Sequence, residues 1–164
     1  MSEQPDLRAK VWREYMTSGF GLLHACTPQE YARYARYYGK NYGPFLPADR
    51  AAAILDIGCG PGHFLFYLQG QGYSAYEGID LSPECVEVCR SQGLRAQQAD
   101  AFEYLAARRG ALDAIVCNDV LEHLPKDLGF RLAEQCRAAL KPGGVLIIKV
   151  PNSAAPIVGA RARY

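Results

Sequence analysis

From residue 51 onward, short apolar runs alternate with segments whose apolar positions recur at helical spacing. Ala53–Ile57 reads as a first strand, followed by a helix from about Gly62 to Gln69. Ala75–Ile79 is a second strand, after which Ser82 and Pro83 supply the N-cap and first-turn proline of a helix through "PECVEVCRSQ". Leu94–Ala99 is a third strand, less regular in pattern, with a helix running on through Ala107. "LDAIVCN" is a fourth strand. Leu128–Leu140 is a helix with Leu132, Cys136, Ala139 and Leu140 on one face; "KPGG" closes it as a turn, and "VLIIKV" is a fifth strand. Strand–helix alternation at this spacing predicts a parallel sheet with helices on both faces. Nearly continuous apolar strands fit a sheet covered on both sides. Ligands of such sheets bind beyond the carboxyl ends of the strands, so every motif below falls on one rim.

Residues 1–50 have a different pattern and form a separate N-terminal helical lid or cap segment, with the core spanning 51–164. In "TPQEYARYARYY", Thr27 and Glu30 are spaced as a capping box, with Pro28 at the first helical position. Tyr31, Tyr34 and Tyr38 then share one helical face. This face either packs on the core or closes over a pocket. A base-stacking platform for nucleic acid would want more positive charge than this chain has.

Composition narrows the class. The chain has 164 residues, 49% hydrophobic and 21% charged, with a formal net charge of +1. This is one soluble globular domain, with no broad basic field to recruit nucleic acid or an anionic membrane. Charges stand where a signal peptide would have its apolar core, and no apolar run reaches the ~20 residues of a membrane span. The six cysteines form no CxxC pair. They read as reduced thiols of a cytoplasmic protein, and no metal ligand set is assigned.

The chemistry concentrates in "ILDIGCGPGHF", Ile54 to Phe64, where glycines occupy alternate positions after an apolar run. A dinucleotide fingerprint, G-x-G-x-x-G, would need a third glycine at 63, where His63 stands. Pro61 also removes a loop N–H. Asp56 would repel a pyrophosphate but attract an ammonium group, so the loop favours a cofactor that carries an amino acid. Asp80, at the end of the second strand, suits ribose hydroxyls or caps the following helix. Asp100 closes the third strand, where it would accept from an adenine amine or cap the next helix. Leu81 and Phe102 offer apolar faces to a base.

"LDIGCGPGHFLFYL", "YEGIDLSPECVEVCR", "AQQADAFEYL", "LDAIVCNDVLEHLP" and "LKPGGVLIIKVPN" resemble, in order and spacing, the successive motifs of class I S-adenosylmethionine-dependent methyltransferases. The resemblance covers about residues 52–152. It implies a Rossmann-like three-layer α/β/α fold with a mainly parallel sheet of order 3-2-1-4-5, and S-adenosylmethionine as cofactor. It further implies that Asp56, Gly58, Cys59 and Gly60 hold the methionine part and Asp80 the ribose. Leu81, Asp100, Ala101 and Phe102 would then surround adenine, with Asn118 beside the methionine end. The acceptor expected is an unidentified small molecule. Alternatives from other classes are a non-catalytic cofactor-binding module and an NAD-dependent oxidoreductase, the latter opposed by Asp56, Pro61 and His63.

An in-line attack on a sulfonium methyl needs mostly alignment, and an oxygen nucleophile needs a base or metal as well. "NDVLEHLP" offers the candidates: a helical turn after Asn118 would put Asp119, Glu122 and His123 on one face. His123 is the candidate general base, or these residues simply fix the turn. D-x-x-E-H is also similar to the acid–His metal ligands of small-RNA 2′-O-methyltransferases and some quinone-pathway O-methyltransferases, which carry Glu where Asp119 stands. The family sheet has seven strands, and the last two have no counterpart here, since only fourteen residues follow Val150. The expectation is a fragment or a short chain whose fifth strand presents an open edge, a route to a homodimer.

Overall fold

The computed structural model describes residues 26–152. Residues 1–25, with His24 and the first half of the expected lid segment, lie outside the described residues, as do residues 153–164. The elements are α1 (Pro28–Asn41), a 3₁₀ turn (Gly43–Phe45), β1 (Ile54–Ile57), α2 (His63–Gly70), β2 (Tyr76–Asp80), α3 (Pro83–Ser91), β3 (Ala96–Gln98), α4 (Ala101–Ala106), β4 (Leu112–Asn118), a second 3₁₀ turn (Leu121–His123), α5 (Lys126–Ala139) and β5 (Leu140–Lys149). The five strands form one sheet in the order β3-β2-β1-β4-β5, every ladder parallel. This is the expected Rossmann-like order.

Alternation along β1 splits the core into two layers. Ile54 faces a cluster with Phe64, Leu65 and Leu68 of α2, Val86 and Cys89 of α3, and Tyr38 and Tyr42 from α1 and the turn after it. Leu55 and Ile57 face the opposite cluster with Leu105 of α4 and Leu132, Cys136 and Ala139 of α5. Asp56, between them in the sequence, therefore points to the α1–α2 side, with Gly78 and Val116 as its strand neighbours. A polar residue at an apolar position of a central strand marks where this sheet departs from pure packing.

Local signals act as the sequence suggests in most places. Thr27 Oγ1 accepts from Glu30 N at 3.3 Å to start α1, and the Glu30 carboxylate pairs with Arg33. Ser82 Oγ accepts from Cys85 N at 3.3 Å to start α3. Most boundaries fall within a residue of those expected, and the larger differences are in three places. β3 is shorter than Leu94–Ala99. α5 begins at Lys126, before Leu128, because Pro125 at φ −52° already sets the first turn. Leu140 leaves that helix for an extended conformation (φ −73°, ψ 142°). "KPGG" is not a free turn: it is absorbed into β5 as an irregularity, with Leu112 opposite Leu140 but Ala114 opposite Val145. Among the described residues no strand pairs with the outer edge of β5, and Ile148 is 42% exposed there.

Candidate active site

The loop after β1 is a run of left-handed backbone, with Gly58, Gly60 and Gly62 at φ 68°, 52° and 87°. L side chains visit this region at a cost, so glycine is the residue that permits the loop. At Gly58 space forbids a side chain as well, since a Cβ would lie 2.5 Å from Val120 Cγ2. The loop is fastened from two sides. Gly58 N and Cys59 N both donate to Ile79 O (2.8 and 3.0 Å), and Gly60 N donates to Asp80 Oδ2 at 2.8 Å. From the other side the Tyr31 hydroxyl of α1 donates to Pro61 O at 2.6 Å, while Gln92 Nε2 donates to the same hydroxyl at 2.5 Å.

Above this loop lies a cavity of about 820 Å³. Of the candidate residues of the sequence reading, Asp56, Gly58, Cys59, Gly60, Asp80, Leu81, Asp100, Ala101, Phe102, Asn118, Asp119 and His123 line it, and Glu122 does not. They come from the carboxyl ends of β1 to β4 and the loops beyond, as the topology requires.

Asp56 is at the cavity floor, 2% exposed, and its Oδ1 has no hydrogen-bond partner among the described residues. Burial first, and the charge of Asp80 second, push this carboxyl well above the usual carboxylate range. A buried polar atom without a partner is costly, and such an atom in a cavity implies a partner from outside. Asp80 differs: its Oδ1 accepts from Ser82 N at 2.8 Å and its Oδ2 from Gly60 N at 2.8 Å. Burial raises its pKa, and those backbone N–H groups, with that of Leu81, oppose the rise. Each carboxylate oxygen has a second lone pair, so the staple leaves acceptor capacity towards the cavity. Asp100 caps α4, its Oδ1 accepting from Phe102 N (2.8 Å) and Glu103 N (3.1 Å), with Oδ2 left over.

Asn118, at the end of β4, accepts at Oδ1 from the Tyr42 hydroxyl at 2.5 Å. This pair links residues 76 apart and carries no sequence signal. Asp119 corrects the sequence reading. It takes φ +54°, and its carboxylate pairs with Lys149 Nζ. The chain therefore turns before the 3₁₀ segment Leu121–His123, and Asp119, Glu122 and His123 do not share one helical face. No group of three or more metal-ligating side chains is assembled among the described residues. His123 lies exposed at the cavity edge.

One aromatic contribution, that of His63, escaped sequence reasoning, and the tyrosine face of α1 meets both the core and the cavity. His63 is buried between Tyr31 and Tyr34, with ring centroids 4.6 and 4.3 Å away. Tyr34 and Tyr38 wall the cavity from the α1 side, above Asp56. The tyrosine spacing gave the face but could not say what it packs on.

The cavity lining holds Asp56, Asp80, Asp100 and Asp119, and no Lys or Arg among the described residues. Such a site repels pyrophosphate and attracts a cation. A parallel 3-2-1-4-5 sheet with a glycine loop after β1, an acid at the end of β2 and an acid-lined cavity defines a class I S-adenosylmethionine-dependent methyltransferase domain. Sequence comparison agrees: residues 29–164 match the family described as "Methyltransferase domain", and this chain belongs to it. Its cofactor is S-adenosylmethionine. The chain is 36% identical over 107 residues to a ubiquinone biosynthesis O-methyltransferase of Xanthomonas campestris pv. campestris (strain B100), covering 62% of this chain and 44% of that protein. It is 37% identical over 107 residues to the protein of the same description from Xylella fastidiosa (strain 9a5c), covering 62% and 42%. The chain thus spans less than half the length of these curated relatives. A solved SAM-dependent methyltransferase from Archaeoglobus fulgidus superposes with a TM-score of 0.64 at 26% identity, covering 87% of this chain and 58% of that one.

Proposed function

We propose that this domain transfers a methyl group from S-adenosylmethionine to an oxygen of a small-molecule acceptor. The observation that carries the reading is the buried, unpartnered Oδ1 of Asp56 beneath an acid-lined cavity. The residues present fit the cofactor. Asp56 would receive the ammonium group, and the open glycine backbone at 58–60 admits the amino-acid tail without side-chain collision. Asp80 would take the ribose hydroxyls with its spare lone pairs, and Leu81, Ala101 and Phe102 would flank the base beside Asp100. When bound, the cofactor supplies a methyl group on a positively charged sulfur, open to displacement by a nucleophile.

The remaining work falls to alignment, water exclusion and proton removal. Tyr34 and Tyr38 wall the acceptor side with aromatic surface, which supports α1 as a cap over the site. Asn118 supports an oxygen acceptor. With Oδ1 held by Tyr42, its amide NH₂ remains to donate, and an attacking hydroxyl or phenolate oxygen keeps a lone pair to accept it, whereas an amine nitrogen uses its single lone pair in the attack. The descriptions of the Xanthomonas and Xylella relatives as O-methyltransferases point the same way. His123 is assigned to take the acceptor's proton at the cavity edge.

The test is a titration with S-adenosylhomocysteine in parallel with NAD, followed by a screen of phenolic and catecholic acceptors with radiolabelled methyl donor. Binding of S-adenosylhomocysteine but not NAD, with label on an oxygen, is expected. His123→Asn should lower turnover about 10²–10⁴-fold with the nucleoside affinity unchanged. Stabilisation by NAD alone, or an Asn variant with full turnover, would refute the respective assignment.

A further inference from the structure

A second cleft, of about 450 Å³, lies between the flank of α1 and the end of α2. It is lined by Ala35, Arg36 and Gly39 of α1, Gly43 of the first 3₁₀ turn, Arg50 before β1, and Tyr67, Gln71 and Tyr73 around the end of α2. Its chemistry is the inverse of the cavity's. It holds two guanidinium groups, two phenols and an amide, and no carboxylate.

Neither arginine is neutralised. The ion pairs among the described residues are Arg33–Glu30, Lys141–Asp113 and Lys149–Asp119, so Arg36 and Arg50 take part in none. The carboxylate next in sequence, Asp49, turns to Ala51 N at 2.8 Å instead. Arg50 is also held in place. Its carbonyl accepts from Ser74 N (2.9 Å) and Ser74 Oγ (3.3 Å), and its guanidinium stacks 4.4 Å from the centre of the Tyr73 ring. That ring is fixed in turn by its hydroxyl donating to Pro47 O at 2.6 Å. A stacked guanidinium keeps its edge N–H groups available for planar, bidentate recognition of an oxyanion. Bare backbone at Gly43 gives room at the Tyr67 hydroxyl, where a Cβ would come within 2.9 Å.

We propose that this cleft is a binding site for a phosphate group, with Arg36 and Arg50 as the charged ligands and the Tyr67 hydroxyl and Gln71 amide as neutral donors. The positive charge of Arg50 also opposes the burial that raises the Tyr67 pKa, so the two groups lie close enough to interact. The aromatic walls accommodate the organic body of a phosphate ester. This site uses none of the residues of the methyltransferase cavity, so it stands or falls independently of that reading.

The test is calorimetric titration of the protein with inorganic phosphate and, separately, with phenyl phosphate, at fixed ionic strength and pH 8. Saturable binding at one site per chain is expected, and the tighter of the two arms identifies free anion or ester as the ligand form. Arg50→Gln and Arg36→Gln should each weaken binding about tenfold or more, the loss of one charge-assisted contact. Arg36 is exposed and makes no packing contact that the fold depends on, so its variant remains folded even if the Arg50 variant is damaged. Absence of saturable binding in the wild type, or equal binding by the wild type and Arg36→Gln, would overturn the proposal.

Discussion

Asp56→Asn keeps the shape of the side chain and removes its charge, and the site predicts opposite consequences for the free and the liganded protein. In the unfolded chain an Asp ionises near pH 3.9. In the fold, 2% exposed and next to Asp80, it does so well above that value. Between the two values the folded state holds a proton that the unfolded state has lost. Wild-type stability therefore declines as pH rises from about 4 through the raised folded value and levels off beyond it. Asparagine does not titrate, so the variant lacks this decline and is the more stable free protein at pH 8.

Ligand binding reverses the sign. An ammonium group placed on Asp56 restores the carboxylate, and a hydrogen bond to a charged group contributes about 1.5–3 kcal/mol. Its loss in the variant corresponds to an affinity for S-adenosylhomocysteine reduced about ten- to 150-fold. At any pH below the raised folded value, wild-type binding should also release a proton from Asp56, seen as a calorimetric heat that scales with the ionisation enthalpy of the buffer. Urea titrations across pH 5–9 and calorimetry at pH 7 measure the two halves. A variant that binds within twofold of wild type, or that is less stable at pH 8, would refute the assignment of Asp56 as the ammonium's partner.

Substitutions at two further positions probe the same site. Asp100→Asn keeps an equally good N-cap for α4, so stability should stay within about 0.5 kcal/mol of wild type, whereas Asp100→Ala should lose about 1 kcal/mol; if the carboxylate also receives the adenine amine, both variants bind S-adenosylhomocysteine more weakly, and unchanged affinity in Asp100→Asn reduces the residue to a cap. Tyr42→Phe removes the donor to Asn118 Oδ1 and should cost about 1 kcal/mol in a urea titration. It should also lower turnover with an oxygen acceptor more than it lowers cofactor affinity, and a variant neutral in both assays would deny Tyr42 any role in orienting the amide.

The strand order and the rim were legible because they rest on local regularities: apolar runs of strand length, proline and serine at helix starts, and glycines after β1. The identity of the rim acids was legible too, because each stands at a strand end that the alternation fixes. How their lone pairs are divided was not. The sequence offers Asp80 and Asp100 as either caps or ligand acceptors, whereas the fold uses one or more of their lone pairs for backbone N–H groups and leaves the others open. Asp119 misled because a helical turn was extrapolated through it. Asp tolerates left-handed backbone, but what selects that conformation here is long-range: Asp119 N donates to Lys149 O at 2.9 Å, and its carboxylate meets the Lys149 side chain on β5. "KPGG" misled for a similar reason. Its glycines permit a turn, but Lys141 is drawn to Asp113 by an ion pair at 2.7 Å, which keeps the segment beside β4.

The two clefts along α1 show how one short helix borders opposite electrostatics. The cavity gathers Asp56, Asp80, Asp100 and Asp119 on the side of Tyr34 and Tyr38, while Arg36 faces the other cleft with Arg50. Two unit charges 4 Å apart interact by about 4 kcal/mol at an effective dielectric constant of 20. A single misplaced pyrophosphate charge beside one of the cavity's carboxylates would thus forfeit more than a typical hydrogen bond returns. The same arithmetic favours an amine there and a phosphate in the second cleft. By this reasoning the charge on the walls opposes a dinucleotide more than the missing glycine at position 63 does, because a backbone loop can adapt to His63 but no rearrangement of the loop removes the acids from the strand ends.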